Sequence, residues 1–275
     1  MGESHAPEFA TGDIVAATYA HKTGHTANPF LEPLVALPPD LDPILGIYVA
    51  QMGPIAANGI LHADAELSPF PPASLGAALA GRPALVIGGG VVGMLTALFA
   101  TRAGAEVVIA DPSPFRRSIA GSLGLVAMTE EVACQHAKSR WRHGQADRGA
   151  DIVFQTRAHA ASLQAALTAL RPQGSVIDLA FYQRGADALR LGEAFHHNGL
   201  SIRCAQIGRV PRGFGRSWDR ARLARETIAL LSDTGPAIRR HMITHVIAMD
   251  DAPRFLATLV RDRPDFLQIV FQVTQ

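Results

Sequence analysis

The feature that most restricts how this chain can fold is the run from Ala84 to Gly104. A short apolar stretch, Ala84 to Ile87, leads into Gly88-Gly89-Gly90-Val91-Val92-Gly93. Apolar residues at helical spacing follow through Val92, Leu95, Leu98, Phe99 and Ala103. Gly104 closes that helix, and Glu106 to Ala110 reads as the next strand. A G-x-G-x-x-G placed between a strand and a helix has a physical purpose at each glycine. Gly88 permits the tight turn, Gly90 lets the backbone approach a pyrophosphate, and Gly93 lets helix and strand pack closely. The helix start at Val91 and Val92 offers free N–H groups and the positive end of a dipole to the phosphates. Asp111 lies 18 residues past Gly93 at the end of the second strand, where a carboxylate meets ribose hydroxyls. The pattern predicts a dinucleotide site. A carboxylate there hydrogen-bonds an unmodified ribose and repels a 2′-phosphate, so NAD is favoured over NADP. Arg116 and Arg117 follow closely; they could accept a phosphate if Asp111 turned away, or stack on adenine, or lie in solvent.

The same alternation continues along the chain. Asp151 to Phe154 is a strand candidate, and Ala158 to Leu170 carries apolar residues at helical spacing with Pro172 and Gly174 as a stop signal. Ser175 to Phe181 and Leu200 to Ile207 read as further strands. Strands alternating with helices of this length predict an α/β fold with a doubly wound parallel sheet. The flanks differ. Residues 1–45 are rich in Pro and His, and 44–63 read as a helix that Gly53-Pro54 must break or kink. A proline-laden linker spans Ser68 to Pro72. An Arg-rich helical pattern runs from residue 216 through Leu231, followed by a helix from about Asp251 to Val260 and a strand, Phe266 to Val273.

Composition excludes several functions. Of 275 residues 48% are hydrophobic and 18% charged, and 25 basic residues against 24 acidic ones leave a net charge of +1. A chain of this length and composition folds without disulfides or metals as staples, and no global field draws it to nucleic acid or an anionic membrane. Only Lys22 and Lys138 are lysines, which removes most lysine chemistry. Cys134 and Cys204 are 70 positions apart, too isolated for a disulfide framework or a cysteine-built zinc site. The start of the chain carries no secretory pattern, and the glycines interrupt the longest apolar stretch, so the expectation is a soluble, cytoplasmic protein. Tyr19, Tyr48 and Tyr182 have no lysine four positions on, which excludes the Tyr-x-x-x-Lys dehydrogenases. No G-x-S-x-G elbow or Walker lysine is present.

Taken together, the motifs resemble the medium-chain dehydrogenase/reductases, the zinc-type alcohol dehydrogenases. Gly12-Asp13-Ile14-Val15 is similar to a family turn, Pro38 to Pro43 to the segment before its linking helix, and Gly81 to Gly124 to its cofactor half, including the Asp111-Pro112 corner. Asp151 to Phe154, Leu170 to Gly174 and Ile243 to Pro253 match later landmarks. More narrowly, Gly192 to His196, Gln206 to Val210 and Trp218 to Arg222 resemble a subgroup labelled bacteriochlorophyllide-dehydrogenase-like. The resemblance implies a Rossmann domain over 46–241 with a reduced GroES-like catalytic domain formed by 1–45 and 242–275. It also implies pairing of two chains through the sheet edge at Leu200 to Ile207, hence a homodimer. The family's zinc-binding Cys, Gly-His-Glu motif and four-Cys loop have no counterpart here, and Gln51-Met52-Gly53-Pro54 stands where the subgroup usually has an acid. No zinc is expected.

The resulting expectation is a zinc-independent, NAD-dependent oxidoreductase acting on a small or medium organic alcohol or carbonyl. The alternatives are an NAD-binding tailoring enzyme without net redox, a non-catalytic dinucleotide-binding module, or a split enzyme whose other half is a separate chain. The cofactor set is Gly88, Gly90, Val91, Val92, Gly93, Asp111, Pro112 and Arg116, with the nicotinamide near Thr156, Phe181 and Tyr182. Without zinc an acid must supply the proton, and Tyr19, His21, His25 and Tyr182 are the candidates. His241 with His245 and the pair His196-His197 read as cleft-lining or surface histidines. The arginines between Arg203 and Arg225 read as a solvated helix face paired with Asp219 and Glu226, with an anion-binding rim as the other reading.

Overall fold

The computed structural model describes residues 2–19, 22–187 and 189–273. An antiparallel pair, β1 (Val15–Ala17) with β2 (Leu34–Ala36), leads into a helical run that ends in α1 (Gly53–Leu67). Strands and helices then alternate: β3 (Pro83–Ile87), α2 (Val91–Arg102), β4 (Glu106–Ala110), α3 (Pro114–Ser122), β5 (Val126–Met128), α4 (Glu130–Arg140), β6 (Ala150–Gln155), α5 (Ala160–Ala169), β7 (Leu170–Asp178) and β8 (Ser201–Cys204). A long helix, α6 (Arg220–His241), precedes a β9 (Ile243–Ala248), α7 (Ala252–Asp262), β10 (Gln268–Gln272) unit whose two strands pair in parallel.

β3 to β8 form one parallel sheet in the order β5-β4-β3-β6-β7-β8. The fold is therefore α/β and doubly wound, and the strand order reverses between β3 and β6. All of β3 is buried because both faces of the sheet are covered. Its side chains alternate between two cores. Ala84 and Val86 join Ile109, Ile152, Phe154, Leu95 and Phe99 on the face carrying α1, α2 and α6. Leu85 and Ile87 join Val108, Val153, Ala133, Leu163 and Leu167 on the face carrying α4 and α5. This alternation fixes the register, since a slip of one residue would exchange the two cores.

Gly53-Pro54 kinks the helical run without ending it. Pro54 has no N–H to give the Ala50 carbonyl, and its ring crowds that carbonyl in a regular helix. A wider turn over Tyr48–Met52 absorbs the misfit, with the Gly53 N–H reaching back to Tyr48 O. The Ala50 carbonyl is then taken by Arg220 Nη2 at 3.0 Å, and Gln51 Oε1 accepts from the same nitrogen. Gly53 is required here, because a Cβ would overlap the Thr227 side chain on α6. The run Pro43–Leu67 has the length and apolarity of a bilayer span, but 72% of its most apolar window is buried inside the protein.

Three expectations are corrected. The helix expected to end at Leu231 continues to His241 with Pro236 inside it, since burial of Gly235 and Ile238 outweighs the poor helix formers at 232–236. The helix stops before Pro172 as expected, but the strand after it begins at Leu170 rather than Ser175, takes in Pro172 and Gly174, and ends at Asp178 rather than Phe181. The extra residues bulge out of the pairing with β6, and Gln173 takes a positive φ of 64°. The last strand of the sheet is four residues, Ser201–Cys204, at an open edge.

Candidate dinucleotide site and active-site cleft

The loop between β3 and α2 is built around steric necessity. Gly88 has φ +108°, and a Cβ on it would lie 2.5 Å from Thr156 Oγ1. A Cβ on Gly93 would overlap the Gly88 carbonyl oxygen. Thr156, just beyond β6, clamps the turn from the neighbouring strand: its N–H and its hydroxyl both donate to Ile87 O at 2.9 Å. Gly90 is different. Its φ is −77°, available to any residue, and a Cβ there would meet no protein atom within 4 Å. Gly90 is also the N-cap of α2, and no side chain caps that helix. The N–H groups of its first turn, at Val91, Val92 and Gly93, therefore point out of an open backbone cradle beside the glycine loop. Such a cradle fits the phosphates of a dinucleotide.

Asp111 closes the other side of the loop and is 4% exposed. Its Oδ2 accepts the Gly89 N–H at 2.7 Å and its Oδ1 the Ser113 N–H at 2.8 Å. A carboxylate has about four lone-pair positions, so two remain for ribose hydroxyls. Arg116 Nη1 stands 3.7 Å from Oδ2, while Arg117 donates to the Asp111 and Pro112 carbonyls. Pro112 is exposed at the corner, and Ser113 caps α3 through the Arg116 N–H.

On the far side of the loop, the strand ends form a row across the sheet: Ile87 pairs with Gln155, Gln155 with Asp178, and Asp178 with Cys204. Asp178 Oδ1 accepts the Ala180 N–H at 3.0 Å and the Tyr182 hydroxyl at 3.2 Å. Burial pushes the Asp178 carboxyl above the usual carboxylate range. It also pushes the Tyr182 phenol up, with the Asp178 charge adding to the rise. Gln155 is fully buried; its Nε2 donates to Arg157 O while its Oε1 has no partner. Phe181 is 78% exposed and holds nothing in place. The position of Asp178 and Gln155 at strand ends was the signal that could have marked them in the sequence, since α/β sheets use those ends for ligands.

The remaining acid candidates form a separate cluster between β1 and β2. The rings of Tyr19 and His25 stack 4.7 Å apart. His25 Nδ1 lies 3.3 Å from the Lys22 ammonium, so it accepts, and Nε2–H donates to Glu32 at 2.6 Å. That bond, with the Asn28 N–H, holds the Glu32 carboxyl below its usual range. Among the described residues no hydrogen bond, ion pair or ring contact joins this cluster to the glycine loop or to Tyr182. His21 lies outside the described residues.

No three His, Cys, Asp or Glu side chains are grouped for a metal among the described residues. Cys134 on α4 is half-buried, its thiol pushed up to about 11 by burial, and Cys204 is exposed at the sheet edge. His241 ends α6 while His245 lies in β9 against Phe255, so the two share no helical face. Of the arginines of 203–225, Arg203, Arg209, Arg212, Arg216 and Arg225 are exposed as expected, while Arg220 and Arg222 are half-buried. Arg220 satisfies the helix kink, Arg203 pairs with Glu66 at 3.0 Å, and Arg222 covers the Trp218 ring and donates to Ser217 and Ala73 carbonyls. Asp219 caps α6 through the Arg222 N–H rather than pairing with a guanidinium.

Residues 91–220 match the family model described as zinc-binding dehydrogenase. Among curated proteins the chain is similar to D-guloside 3-dehydrogenase of Escherichia coli (strain K12), at 28% identity over 183 residues, covering 66% of this chain and 51% of that one. The chain thus spans about half the length of that curated relative. Among solved structures its fold resembles alcohol dehydrogenase TADH from Thermus sp. ATN1, with a TM-score of 0.67 at 22% identity over 90% of this chain and 63% of the other. It also resembles a protein of Sinorhizobium meliloti 1021 solved bound to NADP, with a TM-score of 0.60 at 20% identity over 87% and 61%. The glycine loop, the strand order and these likenesses agree on a dinucleotide-binding fold of the kind found in zinc-type alcohol dehydrogenases.

Proposed function

We propose that this protein is an oxidoreductase that exchanges hydride between a nicotinamide dinucleotide and a small or medium organic alcohol or carbonyl. One observation carries the reading. The glycine loop leaves the first-turn N–H groups of α2 uncapped beside a position, Gly90, where a side chain would meet only open space. When bound, the nicotinamide supplies or receives the hydride. Val91, Val92 and Gly93 would hold its phosphates through their backbone N–H groups, and Asp111 would hold the adenosine ribose. NAD is the preferred form in this reading, because the buried Asp111 carboxylate repels a 2′-phosphate more than the half-exposed Arg116, 3.7 Å away, attracts one. The E. coli relative's name, a dehydrogenase of a guloside, supports an alcohol as substrate.

The reaction is proposed to run without zinc. The donor chemistry supports this: a catalytic zinc takes three protein ligands, and the described residues bring no such trio together. Proton transfer then falls to side chains near the strand ends. The β8 edge is open, and we place a homodimer contact there, which would cover its unpaired backbone groups in a soluble, cytoplasmic protein.

Titration of purified protein with NADH and NADPH, followed by absorbance at the nicotinamide band with a panel of alcohols and carbonyls, tests the reading. Binding of NADH ahead of NADPH together with turnover is expected. Failure to bind either would contradict it, and binding without turnover across the panel would leave only a dinucleotide-binding module.

A further inference from the structure

The side-chain pair Asp178–Tyr182 sits on the row of strand ends that leads away from the glycine loop. Asp111 lies on the β4 side of that loop, and Gln155 and Asp178 lie on the opposite side. A ligand anchored by phosphates at the loop and by a ribose at Asp111 must extend its other end toward β6 and β7. Two strand spacings, roughly 10 Å, separate Ile87 from Asp178. At this end the Tyr182 hydroxyl carries an exchangeable proton and donates to Asp178 Oδ1 at 3.2 Å, with the Gln155 side chain also in hydrogen-bonding reach. The Ala180 N–H donates to the same oxygen at 3.0 Å and so holds the carboxylate in place. Tyr182, like Leu189, Ala194, Phe195 and Ile202, packs against the apolar core on the α4 and α5 face of the sheet. The buried Gln155 amide flanks it from β6.

We propose that Asp178 is the positioning residue of a proton relay in which Tyr182 takes the proton of a substrate hydroxyl while Asp178 takes the proton of Tyr182. The inference rests on the oxidoreductase reading above. In alcohol oxidation the carbinol C–H bond breaks and its electron pair leaves as hydride to the oxidised nicotinamide. The substrate O–H bond breaks and its electron pair becomes the second bond of the carbonyl. That proton forms a new O–H bond on Tyr182, whose original O–H bond breaks toward Asp178 Oδ1. The carboxylic acid then returns the proton to solvent, and the reverse sequence serves reduction. The direction of the pair's acidity suits this task. A carboxyl held above its usual range is a stronger base once ionised, and a phenol held high keeps its proton until one arrives. Among the described residues the titratable groups acting on the pair are its own two members and Cys204 on β8.

The experiment uses full-length protein, NAD and a panel of polyols and secondary alcohols, with wild type, Asp178→Asn, Tyr182→Phe and the double variant. Wild-type kcat for oxidation should rise with pH through a titration above the ordinary carboxylate range. Asp178→Asn should lose that limb and about 100-fold or more in kcat, with KM and NADH affinity little changed. The double variant should be no slower than the worse single variant, because the two residues act as one unit. A second readout needs no turnover. The carboxyl carbon of Asp178 in labelled protein should titrate above its usual range, and higher still in Tyr182→Phe, which removes a hydrogen bond to the ionised form. An unaltered pH limb in Asp178→Asn, multiplying losses in the double variant, or a carboxyl titration unmoved by Tyr182→Phe would overturn the relay alone. Wild-type protein that binds no dinucleotide, or binds it without any turnover, would overturn the oxidoreductase reading and the relay with it.

Discussion

The ends of β3 and β7 face the same edge of the sheet but are specified in different ways. At β3 the constraint is space: Gly88 and Gly93 admit no side chain because Thr156 and the Gly88 carbonyl occupy the room. At β7 the constraint is environment: Asp178 and Tyr182 are ordinary residue types whose properties come from burial and from each other. A steric constraint leaves a mark on residue identity, and an electrostatic one leaves hardly any. The β3 end is accordingly a motif, while the β7 end becomes visible only when the strands are laid side by side.

Substitutions at the two ends should separate these kinds of constraint. The largest effect is expected at Gly93. Alanine there must push the helix start away from β3, costing about 3 kcal/mol or more in chemical denaturation and abolishing measurable NADH binding. Gly53→Ala is the control for a steric glycine remote from the loop. It should lower stability by about 1–3 kcal/mol through the Thr227 overlap, yet leave NADH affinity within twofold. Arg220→Met removes the donor to the Ala50 carbonyl at the Pro54 kink and should cost about 1–3 kcal/mol by the same measurement.

Legibility followed the kind of signal each segment carries. β3 and β4 were readable because a continuous apolar run bounded by glycines has few other meanings. Helix α4 was not, since its only buried residues are Ala133 and Ala137 and no apolar stripe marks it. The start of β7 was hidden by Pro172-Gln173-Gly174, a bulge that in sequence looks like a stop. Of the proton-carrying candidates, Tyr182 was named for its place beyond a strand, but its partner Asp178 was passed over because no spacing rule connects them. Tyr19 and His25 were named as acids for proton transfer, yet they stack on each other and His25 bonds Lys22 and Glu32.

The smallest expected effect contrasts two buried carboxylates. Asp111 receives two backbone N–H groups, whereas Asp64 on α1 is 5% exposed with its Oδ2 unpartnered, and burial raises its titration to about 6. The native state therefore binds a proton more readily than the unfolded chain between about pH 4 and 6. Stability should fall as pH rises through that window and stay lower above it. Asp64→Asn should flatten the decline and add about 1–2 kcal/mol at pH 7, measured by denaturation at pH 4.5 and pH 7.

Gly90 decides most directly whether the loop is a dinucleotide site rather than a tight turn. Its backbone angles suit any residue and a Cβ would touch no protein atom, so the protein itself has no need of glycine there. The measurement is NADH titration of Gly90→Ala beside its unfolding curve. Stability within about 0.5 kcal/mol of wild type, with affinity reduced at least roughly tenfold, is the predicted result. Unchanged stability with unchanged affinity would mean that nothing approaches the loop at Gly90, and the dinucleotide assignment would be contradicted.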